Sequence, residues 1–166
     1  MDQNQTIGQN DAAGVREMLS GAGYSEEAIE YYIEKRHFGG LADASHVSEM
    51  TGTCGDTMKI FLKVEQDIIT DAKYQVLGCP GAVTAAMAAV ELIKGKSLEH
   101  ARTINDGHIF KMLKEIPAKK HHCIQLAVKI LNKALDEYHS GKEGVDNVEG
   151  NCTGCAPENC CKEDLR

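Results

Sequence analysis

Two alternating runs of residues, separated by two polar positions, constrain this chain more than any other feature. Met58, Ile60, Leu62 and Val64 alternate with Lys59, Lys63 and Glu65, and Phe61 is the one apolar residue on the wet side. That period of two describes a strand with one buried face. Gln66-Asp67 follows as a tight turn. Ile68, Thr70, Ala72, Tyr74 and Val76 then form one face of a second strand, opposite Asp71, Lys73 and Gln75. A hairpin with one wet face needs helices on the other, and the rest of the chain must supply them.

Gly78 ends the hairpin and Cys79-Pro80-Gly81 opens a helix, proline being suited to a first turn where its missing N–H would be unpaired anyway. Val83, Ala86, Met87, Val90 and Ile93 recur at helical spacing up to Lys94-Gly95-Lys96. Ser97 caps a short helix to residue 104, and Asn105 or Asp106 caps another to residue 116. Pro117 starts the last and longest helix. Its stripe of Cys123, Ala127, Ile130, Leu131, Ala134 and Tyr138 turns Cys123 toward the core near the N-terminal end.

Upstream, residues 11–20 read as a helix with Val15, Met18 and Leu19 on one side, broken by Gly21-Ala22-Gly23. Ser25 is an N-cap, with Glu26 and Glu27 in the first turn where the helix dipole favours negative charge. Ala28, Ile29, Tyr32 and Ile33 give that helix an apolar stripe; Tyr31 and Tyr32 read as packing. Lys35-Arg36-His37 close it before Gly39-Gly40, and residues 45–51 form a short edge strand. The expected class is α+β: a small antiparallel sheet of about three strands, helices packed on one face, and a long C-terminal helix. Residues 1–40 form an N-terminal helical segment, 41–140 the core, and 141–166 a flexible, acidic, cysteine-rich tail.

A chain of 166 residues suits one domain, and 42% hydrophobic content with 5% aromatics and no Trp calls for an aliphatic core. The net charge of −7 argues against a nucleic-acid binder. Lys111, Lys114, Lys119 and Lys120 do cluster, and read as a solvated helix face. The first ten residues lack the apolar stretch of a secretory signal, and no run of about 18 apolar residues is long enough for a membrane span. The cytosol is the expected compartment, where thiols stay reduced. Seven cysteines there suggest metal or redox chemistry before a disulfide framework.

Three of them sit at ends of elements: Cys54 before a strand, with Asp56 two residues on at a glycine-lined bend; Cys79 after a strand; Cys123 in the first turns of a helix. Ends are where side chains converge on a rim. A helix N-terminus also favours thiolate, the species that binds metal or attacks sulfur, and this applies to Cys79 and Cys123. A single cysteine is more often a small buried hydrophobe. Three at element ends, one beside an aspartate and one preceded by His121-His122, point instead to a metal site, although Asp56 by itself also fits acid–base work. In the tail, Cys152-x-x-Cys155 is a metal half-site followed by Cys160-Cys161, adjacent cysteines that rarely ligate one ion together. Metal binding, passage of sulfur or electrons, and disulfide formation all fit those four.

Cys54-Gly55-Asp56 before an alternating strand, Gly78-Cys79 before a small-residue helix, and His122-Cys123 opening the final helix resemble the IscU/NifU family of iron–sulfur cluster assembly scaffolds. The resemblance runs over roughly residues 34–138. It is weaker to the zinc-containing branch, whose insertion is not seen here and which lacks the histidine. The resemblance implies a scaffold that is not an enzyme. Cys54, Cys79 and Cys123 would hold a transient [2Fe–2S] cluster, with Asp56 and His122 as exchangeable or alternative ligands. His122 is preferred because it directly precedes Cys123, and His121 is expected to face solvent. Sulfur would come from a cysteine desulfurase, with Cys123 as candidate persulfide acceptor, and the cluster would pass to apo iron–sulfur proteins. Zinc can occupy the same donors.

The resemblance also implies an ATP-driven chaperone partner and admits a homodimer. Of the family's Leu-Pro-Pro-Val-Lys, however, Ile116-Pro117-Ala118-Lys119-Lys120 keeps only Pro117 and Lys120, and of Asn-Pro-Arg-Asn-Val-Gly only Arg36 and Gly39 remain. Two other readings are a sulfurtransferase carrying persulfide on Cys123 without a cluster, and a zinc-binding protein.

Overall fold

A computed structural model describes residues 9–141. In chain order they form α1 (Gln9–Gly21), α2 (Glu26–Glu34), β1 (His46–Thr51), β2 (Thr57–Glu65), β3 (Ile68–Leu77), α3 (Pro80–Ile93), α4 (Leu98–Arg102), α5 (Asp106–Leu113), a 3-10 turn (Ala118–Lys120) and α6 (His121–His139). The strands make one antiparallel sheet in the order β1-β2-β3. Cys152, Cys155, Cys160 and Cys161 lie outside the described residues. Among those described, no helix is long and apolar enough to cross a membrane.

The hairpin forms where the alternation places it. Met58, Ile60, Leu62 and Val64 are all buried, and Gln66 and Asp67 both take positive φ, 51° and 62°, the turn geometry that matches strand twist. The second strand corrects the expected face. Lys63 pairs with Asp71 but Val64 with Ile69, so β3 carries one extra residue, a bulge at Thr70. Ala72 and Tyr74 face the core as expected, whereas Ile68 and Thr70 turn to solvent and Ile69 is buried in their place.

The helices all lie against the buried sheet face or one another. A single apolar stripe was expected on α3, but every residue from Gly81 to Val90 is buried. Its alanines are small enough for β3, α2, α5 and α6 to close around it. Ser25 caps α2 by accepting the N–H of Ala28 at 3.1 Å, as its residue type predicts. It also shortens α5. Ser25 Oγ donates to the Leu113 carbonyl and Ser25 N–H to that of Glu115, and Lys114 leaves helical geometry, so α5 stops at Leu113 rather than residue 116.

Pro117 does not begin the last α-helix. It takes an extended conformation and caps the 3-10 turn, and α6 begins at His121. The expected stripe is otherwise observed, with Cys123, Ala127, Ile130, Leu131 and Ala134 buried and Tyr138 half-buried. Cys123 is therefore the third residue of α6, facing the start of α3.

Candidate metal centre

Three separated segments meet at one end of the sheet. The β1–β2 connection folds tightly: Gly52 N–H donates to the Asp56 carbonyl (2.9 Å), Gly55 N–H donates to Gly52 (3.0 Å), and Gly55 has φ of 87°. Gly52 is also held close to α6, since a Cβ there would lie 3.0 Å from Leu126 Cδ2. This bend leaves Cys54 exposed and turns Asp56 inward. Cys79 is the N-cap of α3. His122 and Cys123 come from the first turn of α6.

Asp56 is the hub. Its Oδ2 accepts from Cys79 Sγ at 3.1 Å and lies 3.9 Å from Cys123 Sγ, while its Oδ1 accepts the Cys79 backbone N–H at 3.3 Å. The two sulfurs of Cys79 and Cys123 are 3.6 Å apart, and His122 Nε2 is 3.5 Å from Cys123 Sγ. Two overlapping groups result, Cys54–Asp56–His122 and Asp56–Cys79–Cys123, each with its donor atoms within 4.8 Å of one another. Asp56 belongs to both. His121 lies outside them, exposed and edge-on to Phe110 with ring centroids 5.4 Å apart.

The charges follow from these contacts. Burial pushes the Asp56 carboxyl up, but hydrogen bonds from the Cys79 and Cys54 thiols and the Cys79 N–H outweigh it and hold the group below its usual range. Cys79 is drawn down to about 6, chiefly by the hydrogen bond from Cys123 and against the opposing effect of burial. Cys123 moves the other way. The Cys79 hydrogen bond, burial and the neighbouring negative groups push its thiol far up. The two thiols titrate as a coupled pair, with the downward shift on Cys79 and the upward one on Cys123. This corrects the expectation that a helix N-terminus lowers both thiols: at Cys123 the buried position beside Cys79 and Asp56 outweighs the dipole.

Two residues at this site were not foreseen. Lys120 belongs to the basic cluster read as solvated, yet it is half-buried, and a hydrogen bond to Cys79 raises its pKa, with Cys123 and Asp56 acting the same way. Tyr24 is buried, and burial, then the charges of Cys79 and Cys123, push its phenol up. Gly81 lets both approach, since a Cβ there would lie 3.1 Å from Lys120 Cβ and 3.2 Å from the Tyr24 hydroxyl. The only hint for Lys120 was its place after Pro117; nothing in the sequence marked Tyr24. Lys114 of the same cluster does stay exposed, paired with Glu27.

A cavity of about 140 Å³ opens beside Cys54 and His122, walled by Thr51, Leu126 and Lys129 among others. Two of the donors, Cys54 and His122, line this cavity, and the whole set mixes soft sulfur with one hard carboxylate and one imidazole. That set fits iron or zinc.

Comparison with known proteins matches this fold. The chain is 37% identical over 125 residues to the iron–sulfur cluster assembly scaffold protein IscU of Escherichia coli K12, covering 72% of this chain and 97% of that one. It is 32% identical over 127 residues to the iron–sulfur cluster assembly scaffold protein IscU 1 of Archaeoglobus fulgidus, covering 76% and 83%. The crystal structure of the N-terminal part of a nitrogen-fixing NifU-like protein from Brucella abortus superposes with a TM-score of 0.58 at 17% identity, over 70% of this chain and 94% of that one. The family model described as the NifU-like N terminal domain spans residues 23–144, from the turn before α2 to just past the end of α6, and the chain belongs to that family.

Proposed function

We propose that this protein is an iron–sulfur cluster assembly scaffold: it takes sulfur from a cysteine desulfurase, and iron, builds a [2Fe–2S] cluster as cargo, and gives it to apo iron–sulfur proteins in the cytoplasm. The observation that carries this reading is the convergence of Cys54, Asp56, Cys79, His122 and Cys123 from three segments into two donor groups that share Asp56. The names of its relatives support the same role. Here the core, 41–140, carries the donors, the segment 1–40 adds Tyr24, and the tail, 141–166, lies beyond the described residues from position 142 on.

Donor chemistry gives each residue its part. Cys54, Cys79 and Cys123 supply the thiolates that iron prefers, and Asp56 supplies an oxygen that holds it less firmly than a fourth thiolate would. Asp56 and His122 alternate as the fourth donor, so the cargo is bound but never fully enclosed. Cys54, the most exposed of the three thiols, is the side from which an acceptor protein's cysteines can begin exchange. Lys120 offsets negative charge while the thiolates are empty. The cluster is cargo that is held and then handed on, which makes the role a scaffold's.

Anaerobic reconstitution with ferrous iron, cysteine and a desulfurase tests the proposal. The full chain should turn red-brown, with iron and acid-labile sulfide in equal amounts. A colourless product without sulfide overturns it, and zinc alone in protein purified without oxygen would favour the zinc-binding reading. Repeating the reconstitution on a chain ending at Lys142 shows whether the tail thiols hold metal of their own.

A further inference from the structure

Sulfur reaching a scaffold as a persulfide is not yet sulfide. Two electrons must be added before it can bridge iron, and the geometry of this site places a source of them beside the acceptor. Cys79 Sγ stands 3.6 Å from Cys123 Sγ, close to contact between two sulfurs, although the residues are 44 positions apart in the chain. Cys123 is buried and Cys79 keeps partial exposure, so a reductant in solution meets Cys79 first. Cys54 groups with Asp56 and His122 rather than with Cys123. Cys79 is therefore the thiol positioned to act on a sulfur carried by Cys123.

We propose that Cys79 is a resolving thiol, which attacks the inner sulfur of a Cys123 persulfide and releases hydrosulfide inside the site. The step rests on Cys123 being the sulfur acceptor. Cys79 attacks as its thiolate from the N-cap of the 14-residue helix α3. The bond formed joins Cys79 Sγ to Cys123 Sγ. The bond broken joins Cys123 Sγ to the outer sulfur, which leaves with its electron pair and its proton as HS⁻. The outer sulfur is reduced, the Cys79 and Cys123 thiols are oxidised to one disulfide, and charge balances at minus one on each side. A dithiol reductant then attacks the disulfide at the more exposed Cys79 and returns both thiols for iron. On this inference Cys79 and Cys123 have two duties in sequence, first as reductant of the sulfur and then as ligands of the product.

The test uses the full chain, stripped of metal and fully reduced. It is pulsed with inorganic polysulfide, desalted, and followed by intact mass, peptide mapping and hydrosulfide release. Wild-type protein should gain about 32 Da at Cys123 and then lose it, yielding one hydrosulfide and a Cys79–Cys123 linked peptide pair. Cys79→Ser should fold, since serine is a good N-cap residue. It should keep the added sulfur at least about ten-fold longer, because the nearby attacking thiolate is gone. Equal persistence in the two proteins overturns the inference. So does a link from Cys123 to Cys54 or to a tail cysteine. Added sulfur that stays on Cys123 in the wild type overturns the resolving step while leaving the acceptor role standing. Failure of Cys123 to gain sulfur in either protein overturns both.

Discussion

A Cβ at Gly78 would stand 2.5 Å from Oδ1 of Asp56 and 2.8 Å from its Cβ. The backbone just before Cys79 thus occupies the space that any larger residue would need, and the Asp56 side chain is seated against it. Gly78→Ala should force the half-buried carboxylate to turn toward solvent, ending its contacts with the Cys79 thiol and N–H. Because Asp56 Cβ also lies inside contact distance, turning the carboxylate does not clear the clash and the backbone must shift, at a cost of about 1–3 kcal/mol. Metal binding should suffer too. Titration with cobalt(II), read by its thiolate absorption bands, should show weaker binding in the variant, beside a lowered thermal melt.

Asp56 itself should act in the opposite sense once cargo is bound. Replacing it by alanine removes the one hard oxygen donor and leaves His122 as the remaining fourth ligand. An imidazole is the better partner for iron in a thiolate-rich site, so the cluster should resist chelation on the order of ten-fold longer. The decay of visible absorbance after adding a strong iron chelator measures this. A cluster lost at the wild-type rate or faster would mean that Asp56 is not the labile ligand.

Much of the fold was legible because its strongest signals are periodic. The alternation from Met58 to Val64, the Gln66-Asp67 turn and the Ser25 cap each have one local physical cause, and each forms as read. The bulge at Thr70 was not legible, because one inserted residue leaves the composition of β3 unchanged while moving Ile68 and Thr70 to the other face. Nor was the burial of α3 on every side from Gly81 to Val90. A run of small residues such as Ala85, Ala86, Ala88 and Ala89 says that neighbours can approach, not how many will. At the site, the five donor residues stood out because thiols, carboxylate and imidazole sit at element ends. Lys120 and Tyr24 did not, since a lysine in a basic run and a lone tyrosine have ordinary explanations until tertiary packing through Gly81 brings them to the thiols.

The opposed shifts of the two thiols make a pH signature in the metal-free protein. Cys79 ionises near pH 6, below its ordinary value, so the stability it contributes is fully present above the ordinary thiol range and is lost as pH falls through about 6. Cys123 is displaced upward, so it costs stability once the unfolded thiol ionises, above about pH 8.5. Alkylation by iodoacetamide, mapped by peptide, should show Cys79 reacting with a midpoint near pH 6 and Cys123 reacting more slowly, with its midpoint at higher pH. Cys79→Ser should lower the Cys123 midpoint, because its largest raising influence has been removed. Lys120→Ala should move the Cys79 midpoint upward, since a hydrogen-bonded cation has been taken from beside the thiolate.

At the far end of α6, a buried polar cluster fastens the edge strand to the helix and lends itself to a test of stability alone. His46 is nearly fully buried, and its Nε2 lies 2.9 Å from Glu137 Oε2 and 3.0 Å from Ser48 Oγ, while Ser48 also donates to Glu137. Burial pushes the Glu137 carboxyl up, but bonds from Ser48 and His46 outweigh it and leave it below its usual range. Glu137→Ala would strand the buried imidazole and hydroxyl without their shared acceptor, at a cost of about 1–3 kcal/mol. Because the Glu137 pKa lies below its unfolded value, the stabilisation is present above the ordinary carboxyl range and fades as pH falls through the depressed value. The stability difference between wild type and variant, measured by urea unfolding, should therefore narrow in acid. Cys79 alkylation in the variant should keep its wild-type midpoint, since nearly four turns of α6 separate this cluster from the thiols, at about 3.6 residues per turn.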